Sequence, residues 1–304
     1  MWQKMSADEL AAFERSQGEE IMQVNGVYWQ RIRRFFYRPL LPFREYPASS
    51  QSFPPRAPFR GYQCAVPAHE PANSRLNVLL FTDPKSYTLE SLERAKRKQV
   101  RASAKEFTIR RLEEVKEFSD KAHPVYLSFY ERTRYGYKAE RRDPRVFARW
   151  AESVYRFPQN LVLGAFKDTE LHAVSISRLV EDTLVYSMVF CTELALRLNV
   201  TSALLHHLRE AAAASPDIKQ MFVGMYKYRG RTGIDDFYFA RGCQLVSKPA
   251  IFRINPVAKI CLRAFMRSEY HKLSGHLEAE VASLAVTGNA ESAGALAPEL
   301  PQLT

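Results

Sequence analysis

The sequence has 304 residues and no run of about 18 apolar residues, which excludes a membrane-spanning helix of ordinary length. Its N-terminus, MWQKMSADELAAFERSQ, lacks the apolar core of a secretory signal peptide, and we therefore expect a cytoplasmic protein. The four cysteines, Cys64, Cys191, Cys243 and Cys261, form no CxxC pair, so neither a zinc site nor a disulfide framework is predicted. We expect buried free thiols and no bound metal.

Glycine is scarce, with 12 residues, and neither GxGxxG nor GxxxxGK[ST] occurs. The glycine-rich loops of the familiar nucleotide-binding folds are therefore missing. Hydrophobic residues make up 46% of the chain and charged residues 25%, which is typical of a folded globular protein and not of a disordered one.

Positive charge is in excess, since 44 Lys and Arg face 33 Asp and Glu, for a formal net charge of +11. The excess lies in two blocks. Residues 85–149 carry 18 basic and 10 acidic side chains, and residues 219–272 carry 11 and 3. A cationic surface attracts phosphates, anionic lipid or nucleic acid, and charge alone does not choose among them.

The chain divides into four predicted regions. Residues 1–75 are expected to form an N-terminal helix and a proline-rich arm, packed on the domain or free as a linker. Residues 76–256 are expected to form the main domain, and residues 257–273 a basic amphipathic helix. Residues 274–304 are rich in Ala, Gly, Ser and Pro, and a disordered tail is predicted there.

Apolar patterning within the main domain predicts seven strands and five helices. The predicted strands are 76–81, 107–112, 160–166, 171–180, 183–190, 221–226 and 244–254. The predicted helices are 89–105, 112–134 with an interruption at Pro124, 144–155, a helix capped by Thr201 or Ser202 that ends at 214, and 233–241. An antiparallel three-strand meander followed by helix, strand, helix and strand indicates an α+β fold, with a mixed, largely antiparallel sheet flanked by helices.

Two segments and this element order resemble the GNAT-fold acyltransferases, and within them the Fem-type aminoacyl transferases. LERAKRKQVRASAKEFTIRRL, residues 92–112, resembles the basic helix and following strand of the Fem-like branch. FYFARGC, residues 237–243, resembles the aromatic-x-x-x-x-Gly segment near the end of the GNAT fold. The resemblance implies that Tyr238, four residues before Gly242, is the acid that protonates the leaving group. The alternative is an aromatic residue that packs on the sheet.

The same resemblance implies a glycine-rich loop for the pyrophosphate of acyl-CoA at the start of the helix after the fourth strand. The matching stretch, residues 193–205, has no glycine. Arg197 and the backbone amides near Thr201, Ser202 and Ala203 remain as candidates to bind an anion there. The missing glycines shift weight from acyl-CoA toward another activated acyl donor, such as the aminoacyl-tRNA that the Fem-type resemblance implies, and both donors stay open.

The segment MYKYRGRTG, residues 225–233, combines basic and aromatic side chains after a buried strand. Such residues can bind a phosphate and stack on a base, and an ordinary solvated basic loop has the same composition. The predicted substrate-binding residues are Tyr226, Lys227, Tyr228, Arg229 and Arg231.

Glu193, just after the third meander strand, is our candidate for the general base. Tyr186, His172, Asp235 and Asp236 are alternatives, and an ordered water could also serve. His206 and His207 are adjacent on a helix, where their rings point about 100° apart, so they are not expected to share a metal.

Two basic helices suggest partners. The first, residues 88–105, is expected to contact a polyanion such as tRNA or a lipid-linked phosphate. The second, residues 256–272, has apolar residues at helical spacing and is expected to pack on the domain or to attach to an anionic membrane surface, at the inner face of the membrane.

The predicted function is transfer of an acyl or aminoacyl group to an amine or hydroxyl of a polar, cell-envelope-related acceptor. A non-catalytic module of the same fold that binds RNA or an anionic glycan is the alternative.

Overall fold

The computed structural model describes residues 2–33, 36–48, 61–133, 138–226 and 233–274, which together form one mixed α+β structure. Within these ranges the strands are β1 (Lys4–Met5), β2 (Ile21–Val24), β3 (Val27–Arg33), β4 (Phe36–Pro39), β5 (Gly61–Ala65), β6 (Ser74–Phe81), β7 (Thr108–Arg111), β8 (Asn160–Lys167), β9 (Glu170–Val180), β10 (Thr183–Cys191), β11 (Gln220–Met225) and β12 (Gln244–Ile254). The helices are α1 (Ala7–Ser16), α2 (Arg94–Glu106), α3 (Val115–Thr133), α4 (Pro144–Tyr155), α5 (Glu193–Arg197), α6 (Val200–Ala214), α7 (Gly233–Phe239), α8 (Pro256–Phe265) and α9 (Arg267–Ser274).

All twelve described strands belong to one sheet, in the order β2-β3-β4-β5-β12-β6-β11-β10-β9-β8-β7, with β1 paired to the end of β9. Most neighbours are antiparallel, and the parallel pairs are β1 with β9, β4 with β5, and β10 with β11. The predicted α+β class with a mixed, largely antiparallel sheet is confirmed.

The meander β8-β9-β10 lies where the pattern predicted it, and tight turns at Asp168 and Glu181 join its strands. Both residues adopt a positive φ, 54° and 55°, a conformation that short hairpin turns require and that Asp tolerates better than most residues. These turns fix the register in which β9 pairs along its length with β8 and β10.

Two apolar layers cover the sheet. The first face is covered by α1, α3 and α4, and its core contains an aromatic cluster in which the rings of Phe147 and Trp150 are 5.0 Å apart. The second face is covered by α5, α6 and α7, with Leu204, Leu205 and Leu208 of α6 fully buried. α2 packs on the outer side of α6.

The predicted interruption at Pro124 is wrong, because α3 continues through this residue. Proline removes one backbone donor and leaves the carbonyl of Asp120 without its helical partner. Asp120 lies on the exposed side of α3, where water can hydrogen-bond to that carbonyl, and the helix tolerates the loss.

The start of α6 also differs from the prediction. Asn199, at φ 59°, precedes the helix, and Thr201 and Ser202 lie within its first turn instead of capping it. The short helix α5, which the pattern did not predict, fills the connection from β10 and has Thr192 as its N-cap.

The N-terminal region contributes more to the sheet than the pattern indicated. β2, β3, β4 and β5 extend the sheet beyond β12, and Trp29 and Tyr37 are fully buried between them and their neighbours. The proline-rich segment 49–60 lies outside the described residues, as do residues 275–304.

Cys64, Cys191 and Cys243 are buried free thiols as predicted, whereas Cys261 on α8 is exposed. Among the described helices, none combines the length and the apolar character that crossing a lipid bilayer requires.

Asp143 caps α4, and its removal gives a modest, testable effect. Its Oδ1 accepts from the backbone N–H groups of Arg145 and Val146, at 2.8 and 3.0 Å. Asp143→Ala is expected to lower the free energy of unfolding by about 1 kcal/mol, and Asp143→Asn, which keeps the acceptor, should stay close to wild type. Urea denaturation measures both, and equal midpoints for Ala and Asn would show that the cap contributes nothing.

Candidate functional site

The parallel strands β10 and β11 separate partway along their length. Residues 183–185 of β10 pair with residues 220–222 of β11, and in the described part of the strands this pairing stops there. Residues 224–225 of β11 pair with β6 only. We call the opening between residues 186–191 of β10 and 223–226 of β11 the wedge. Strand edges that open in this way leave backbone groups and side chains accessible to a ligand.

A β-bulge in β10 directs side chains to both sides of the wedge. The register with β9 shifts between Tyr186 and Met188. Ser187 and Met188 consequently line the same pocket on the first face, whereas Tyr186 and Val189 pack in the core of the second face. Bulges often occur beside functional sites because they redirect side chains in this way.

Gly224 shapes the opposite edge of the wedge. Its φ of 144° is one that residues with a side chain rarely adopt, and a Cβ added there would meet no atom within 4 Å. The register with β6 shifts between Phe222 and Gly224, directly after the last residue of β11 that pairs with β10.

Two buried tyrosines lie on the second face of the wedge, which we call the tyrosine side. Tyr238 of α7 is 7% exposed and Tyr186 of β10 is 6% exposed, and both belong to the same core cluster. Burial raises the pKa of the Tyr238 hydroxyl above its ordinary value, with smaller contributions from Cys243 and Asp235. Burial also raises the pKa of Tyr186, and Tyr238 adds to that shift. Both hydroxyls therefore keep their protons at neutral pH.

Arg241 holds α7, and with it Tyr238, against two other helices. Its guanidinium donates to the carbonyl of Phe237 at 2.8 Å, to Ser202 Oγ at 2.6 Å and to Gln99 Oε1 at 3.0 Å. Burial lowers the pKa of Arg241 to about 10, so it stays charged at neutral pH. These three bonds link α7 to α6 and α2.

The predicted cofactor-binding residues surround the start of α6. The Ser202 hydroxyl accepts from Arg241, and its backbone N–H donates to the carbonyl of Asn199 at 2.9 Å. Ala203 is 3% exposed, and Thr201 is half-buried. Of the three, only Thr201 presents its side chain partly to solvent, and an anion at this helix start stays a prediction.

Glu193 and Arg197 are exposed and form an ion pair with each other along α5. The acidic residue in the first turn and the basic residue in the last turn both complement the helix dipole, which is an ordinary structural reason for their positions. The roles of Glu193 as base and of Arg197 in cofactor binding stay predictions.

Tyr226 ends the described part of the predicted substrate-binding loop. Its N–H donates to the carbonyl of Asn77 at 3.0 Å, and its ring lies 6.2 Å from that of Phe239. It therefore stands at the margin of the tyrosine side. The other predicted members, Lys227, Tyr228, Arg229 and Arg231, lie outside the described residues.

A pocket of about 170 Å³ opens on the first face beside the bulge, and we call it the arginine pocket. It is lined by Phe13, Glu14, Gln17, Glu19, Arg141, Trp150, Ile176, Arg178, Ser187 and Met188. The lining is mostly polar and charged, and it is built from α1, the turn before α4, and the middle of the sheet.

The centre of the arginine pocket is an ion pair between Arg178, whose side chain is buried, and Glu14, whose side chain is 22% exposed. Arg178 Nη1 donates to Glu14 Oε1 at 2.9 Å, and Arg178 Nη2 donates to Ser187 Oγ at 3.1 Å. The guanidinium lies 4.1 Å from the centroid of the Phe13 ring. Arg178 is 4% exposed, and its Nε is buried with no hydrogen-bond partner among the described residues. One donor of this buried arginine is thus unsatisfied.

Burial raises the pKa of Glu14 above its ordinary value, although the positive charge of Arg178 opposes that shift. Burial also lowers the pKa of Arg178, and Glu14 opposes that shift in turn. Both directions follow from the cost of removing a charge from water. A carboxylate whose pKa is raised is a stronger base than an exposed one.

Sequence reasoning did not identify Glu14 or Arg178 as site residues. Glu14 lies on α1, which carried no motif, and its partner is 164 residues away. The available signal was Arg178 itself, a single charged residue within the otherwise uncharged strand segment AVSISRLV. A charge inside a buried strand needs a partner, and this requirement predicts an ion pair without naming the partner.

No protein-family model matches the chain, and no curated protein matches it in sequence. Solved structures do match it in three dimensions.

One of these structures is the C-terminal domain of a predicted lysylphosphatidylglycerol synthetase from Agrobacterium fabrum. It aligns with a TM-score of 0.54 at 10% identity, over 88% of this chain and 93% of that one. A second is FemX, with a TM-score of 0.55 at 9% identity, over 84% of this chain and 92% of that one. Identities this low show a shared fold and not a shared substrate. The chain has a GNAT-like fold, which these structures share.

Proposed function

We propose that the protein is an acyltransferase whose reaction takes place in the wedge between β10 and β11. The observation that carries the proposal is the arrangement of that opening within an acyltransferase-like fold. Two buried tyrosines lie on one face of the sheet, and a pocket that contains the half-buried carboxylate of Glu14 lies on the other. A donor and an acceptor that enter from opposite faces would meet at the bulge.

The reaction is a nucleophilic acyl substitution. An amine or hydroxyl of the acceptor attacks the carbonyl carbon of the donor, a new C–N or C–O bond forms, and the ester or thioester bond of the donor breaks. Tyr238 gives its proton to the departing oxygen or sulfur. Glu14, on the acceptor's side, takes the proton that the nucleophile loses, with Glu193 as the alternative base. Proton transfer from one carboxyl to the tyrosinate through solvent restores the starting state.

We propose an aminoacyl ester of tRNA as the donor. Arg94, Lys98, Arg101 and Lys105 recur at helical spacing on α2, within about 60° of one another, and all four are exposed. Such a basic stripe suits a phosphate backbone. The start of α6, where acyl-CoA would need close backbone approach, is occupied by the side-chain contacts of Ser202 and the burial of Ala203.

A polar acceptor suits the arginine pocket, because Glu14, Gln17, Arg141 and Arg178 can hydrogen-bond to a headgroup that carries an amine or hydroxyl. We propose that this acceptor is a component of the cell envelope. The similarity in fold to a domain of a lysylphosphatidylglycerol synthetase gives a precedent for that class of acceptor.

Transfer of label tests the function. The purified protein is incubated with tRNA charged with radiolabelled amino acids, or with labelled acetyl-CoA, in the presence of a polar lipid extract and simple amines. We expect label to move from tRNA to an acceptor, and chromatography with mass spectrometry identifies the product. Tight tRNA binding with no transfer from either donor would instead support the non-catalytic RNA-binding module.

The basic stripe gives a separate prediction. Arg94→Gln with Lys98→Gln is expected to weaken tRNA binding about tenfold at 0.15 M salt. It should also reduce the slope of log K against log salt by about 1.4 to 1.8, since each of the two lost phosphate contacts contributes about 0.7 to 0.9. Filter binding across a salt series measures both.

Arg145→Gln with Arg149→Gln is the matched control, because these are also exposed cations four residues apart at the start of a helix. Equal losses in the two pairs would show that overall charge, and not α2, attracts the RNA.

A further inference from the structure

Helix α8 presents apolar side chains to solvent on a long arc of its surface. Val257 is 69% exposed, Ile260 68%, Phe265 87% and the following Met266 51%. At 100° per residue, Ile260, Val257 and Phe265 span about 140° of the helix. We call these four residues the apolar stripe. Exposed apolar side chains that cluster in this way often mark an interaction surface, whereas single exposed apolar residues do not.

Among the described residues, α8 packs on the domain through the side that carries Leu262, and the stripe lies on the other side of the helix. Leu262 is the buried residue of the helix, and it packs with Phe36, Phe252, Tyr270 and Leu273. The packing of Leu262 therefore orients α8 so that the apolar stripe faces solvent.

Basic side chains lie beside the stripe. Lys259 and Arg263 follow Ile260 around the helix, and with Arg267 they line a pocket of about 460 Å³ together with Tyr270 and His271. Among the side chains that the structure describes around this pocket, none is acidic. A pocket of this size and sign suits a phosphate-bearing headgroup.

We propose that α8 is a membrane-docking helix that places the apolar stripe among the acyl chains of an anionic bilayer and binds a phospholipid headgroup in the basic pocket. An amphipathic helix with apolar residues on one side and Lys or Arg on the other binds at the lipid interface in this way. The proposal concerns where the protein sits and is independent of the reaction in the wedge.

The other occupants fit the surface less well. A second copy of the chain would bring two basic pockets together, and like charges at a desolvated interface oppose association. A nucleic acid would pair with the cations but would leave the four apolar side chains in water. An anionic bilayer satisfies both parts of the surface.

Flotation of the full chain with vesicles tests the proposal. We expect strong binding to vesicles of phosphatidylcholine and phosphatidylglycerol in equal parts, and at least tenfold weaker binding to pure phosphatidylcholine. Ile260→Ser with Phe265→Ser should reduce binding to the anionic vesicles at least tenfold. Lys259→Gln with Arg263→Gln should reduce it several-fold and make it less sensitive to salt.

Two controls match these variants. Ile234→Ser removes an apolar side chain that is 58% exposed on α7, and Arg145→Gln with Arg149→Gln removes two exposed cations on α4. Both should bind vesicles like wild type. Because all substituted side chains are exposed, the melting temperatures should stay close to wild type, which separates lost docking from lost folding.

Cys261 offers a direct probe of insertion, because it lies on α8 and is exposed whereas the three other cysteines are buried. A polarity-sensitive fluorophore attached to it should shift to the blue when anionic vesicles are added. Absence of vesicle binding by the wild type would overturn the proposal. So would unchanged binding of the Ile260 and Phe265 variant, or a concentration-dependent dimer that this variant abolishes.

Discussion

Replacing Tyr238 with phenylalanine is expected to lower kcat about a hundredfold, the effect typical of removing a general acid. The substitution removes only the hydroxyl and leaves the ring packed in the second-face core. Burial raises the pKa of this hydroxyl, so the wild-type residue keeps its proton across the neutral and mildly alkaline range. The rate should therefore show no decline below pH 10 that belongs to Tyr238. Single-turnover assays with charged tRNA measure the chemical step.

Tyr155→Phe is the matched control, since Tyr155 is another tyrosine whose pKa burial raises. Its hydroxyl donates to the carbonyl of Leu112 at 2.7 Å, on the side of the sheet away from Tyr238. This variant should lose about 1 kcal/mol of stability and keep its turnover. If Tyr238→Phe keeps full turnover in the same assay, Tyr238 is a packing residue and the leaving group obtains its proton elsewhere.

Replacing Arg178 with methionine is expected to lower the free energy of unfolding by about 3 kcal/mol, the lower end for a broken buried pair, because the half-buried Glu14 would lose its cation. The pKa of Glu14 is already raised in the folded protein. A raised pKa means that Glu14 binds its proton more tightly in the folded state than in the unfolded state. The contribution of Glu14 to the free energy of unfolding is therefore most favourable below the ordinary pKa of Glu, and it is lost as pH rises through the folded pKa. The deficit of the variant should therefore shrink as pH falls from 7 toward 5. Urea denaturation at several pH values measures the change.

The double substitution Glu14→Leu with Arg178→Met separates lost charge pairing from lost packing. It removes both charges and keeps apolar volume, so most of the stability should return. Transfer activity should not return with it, since the proposed base is gone. A double variant as unstable as Arg178→Met would show that packing around Phe13, and not the buried charge, causes the loss.

Apolar periodicity in the sequence was sufficient to predict the meander and most other elements of the main domain. Each of these elements has a strong apolar pattern and is bounded by clear turn residues. Periodicity was insufficient for β2, β3, β4 and β5, where proline and charged residues mask short strands whose pairing depends on distant partners. At Pro124 the sequence predicted an interruption that the structure does not have. The helix continues because the carbonyl of Asp120, which lacks its helical partner, faces solvent.

The site divides in the same way. Tyr238 was predicted as a site residue from a local motif and a family resemblance, and in the structure it lies beside the wedge. The wedge itself depends on where pairing between β10 and β11 stops, which no local pattern encodes. The pair of Glu14 and Arg178 joins residues far apart in the chain, and only the unusual charge in β9 pointed to it. Likewise, the apolar pattern predicted one helix over residues 257–273, where the structure has α8 and α9 separated at Met266, and it did not indicate which side of α8 faces outward.

The position of β12 has a consequence for how the chain folds. This strand lies between β5 and β6, and Gly61 of β5 pairs with Ile254 of β12. Strands β2 to β5 therefore have no strand pairing with the rest of the sheet until β12 has been synthesised, although β1 can already pair with β9. Until then β5 and β6 each present an open edge, and pairings of such large sequence separation form slowly. A nascent chain that stops before Gln244 would carry two unpaired strand edges that can pair with other chains. The sheet is therefore completed only after β12 has been synthesised.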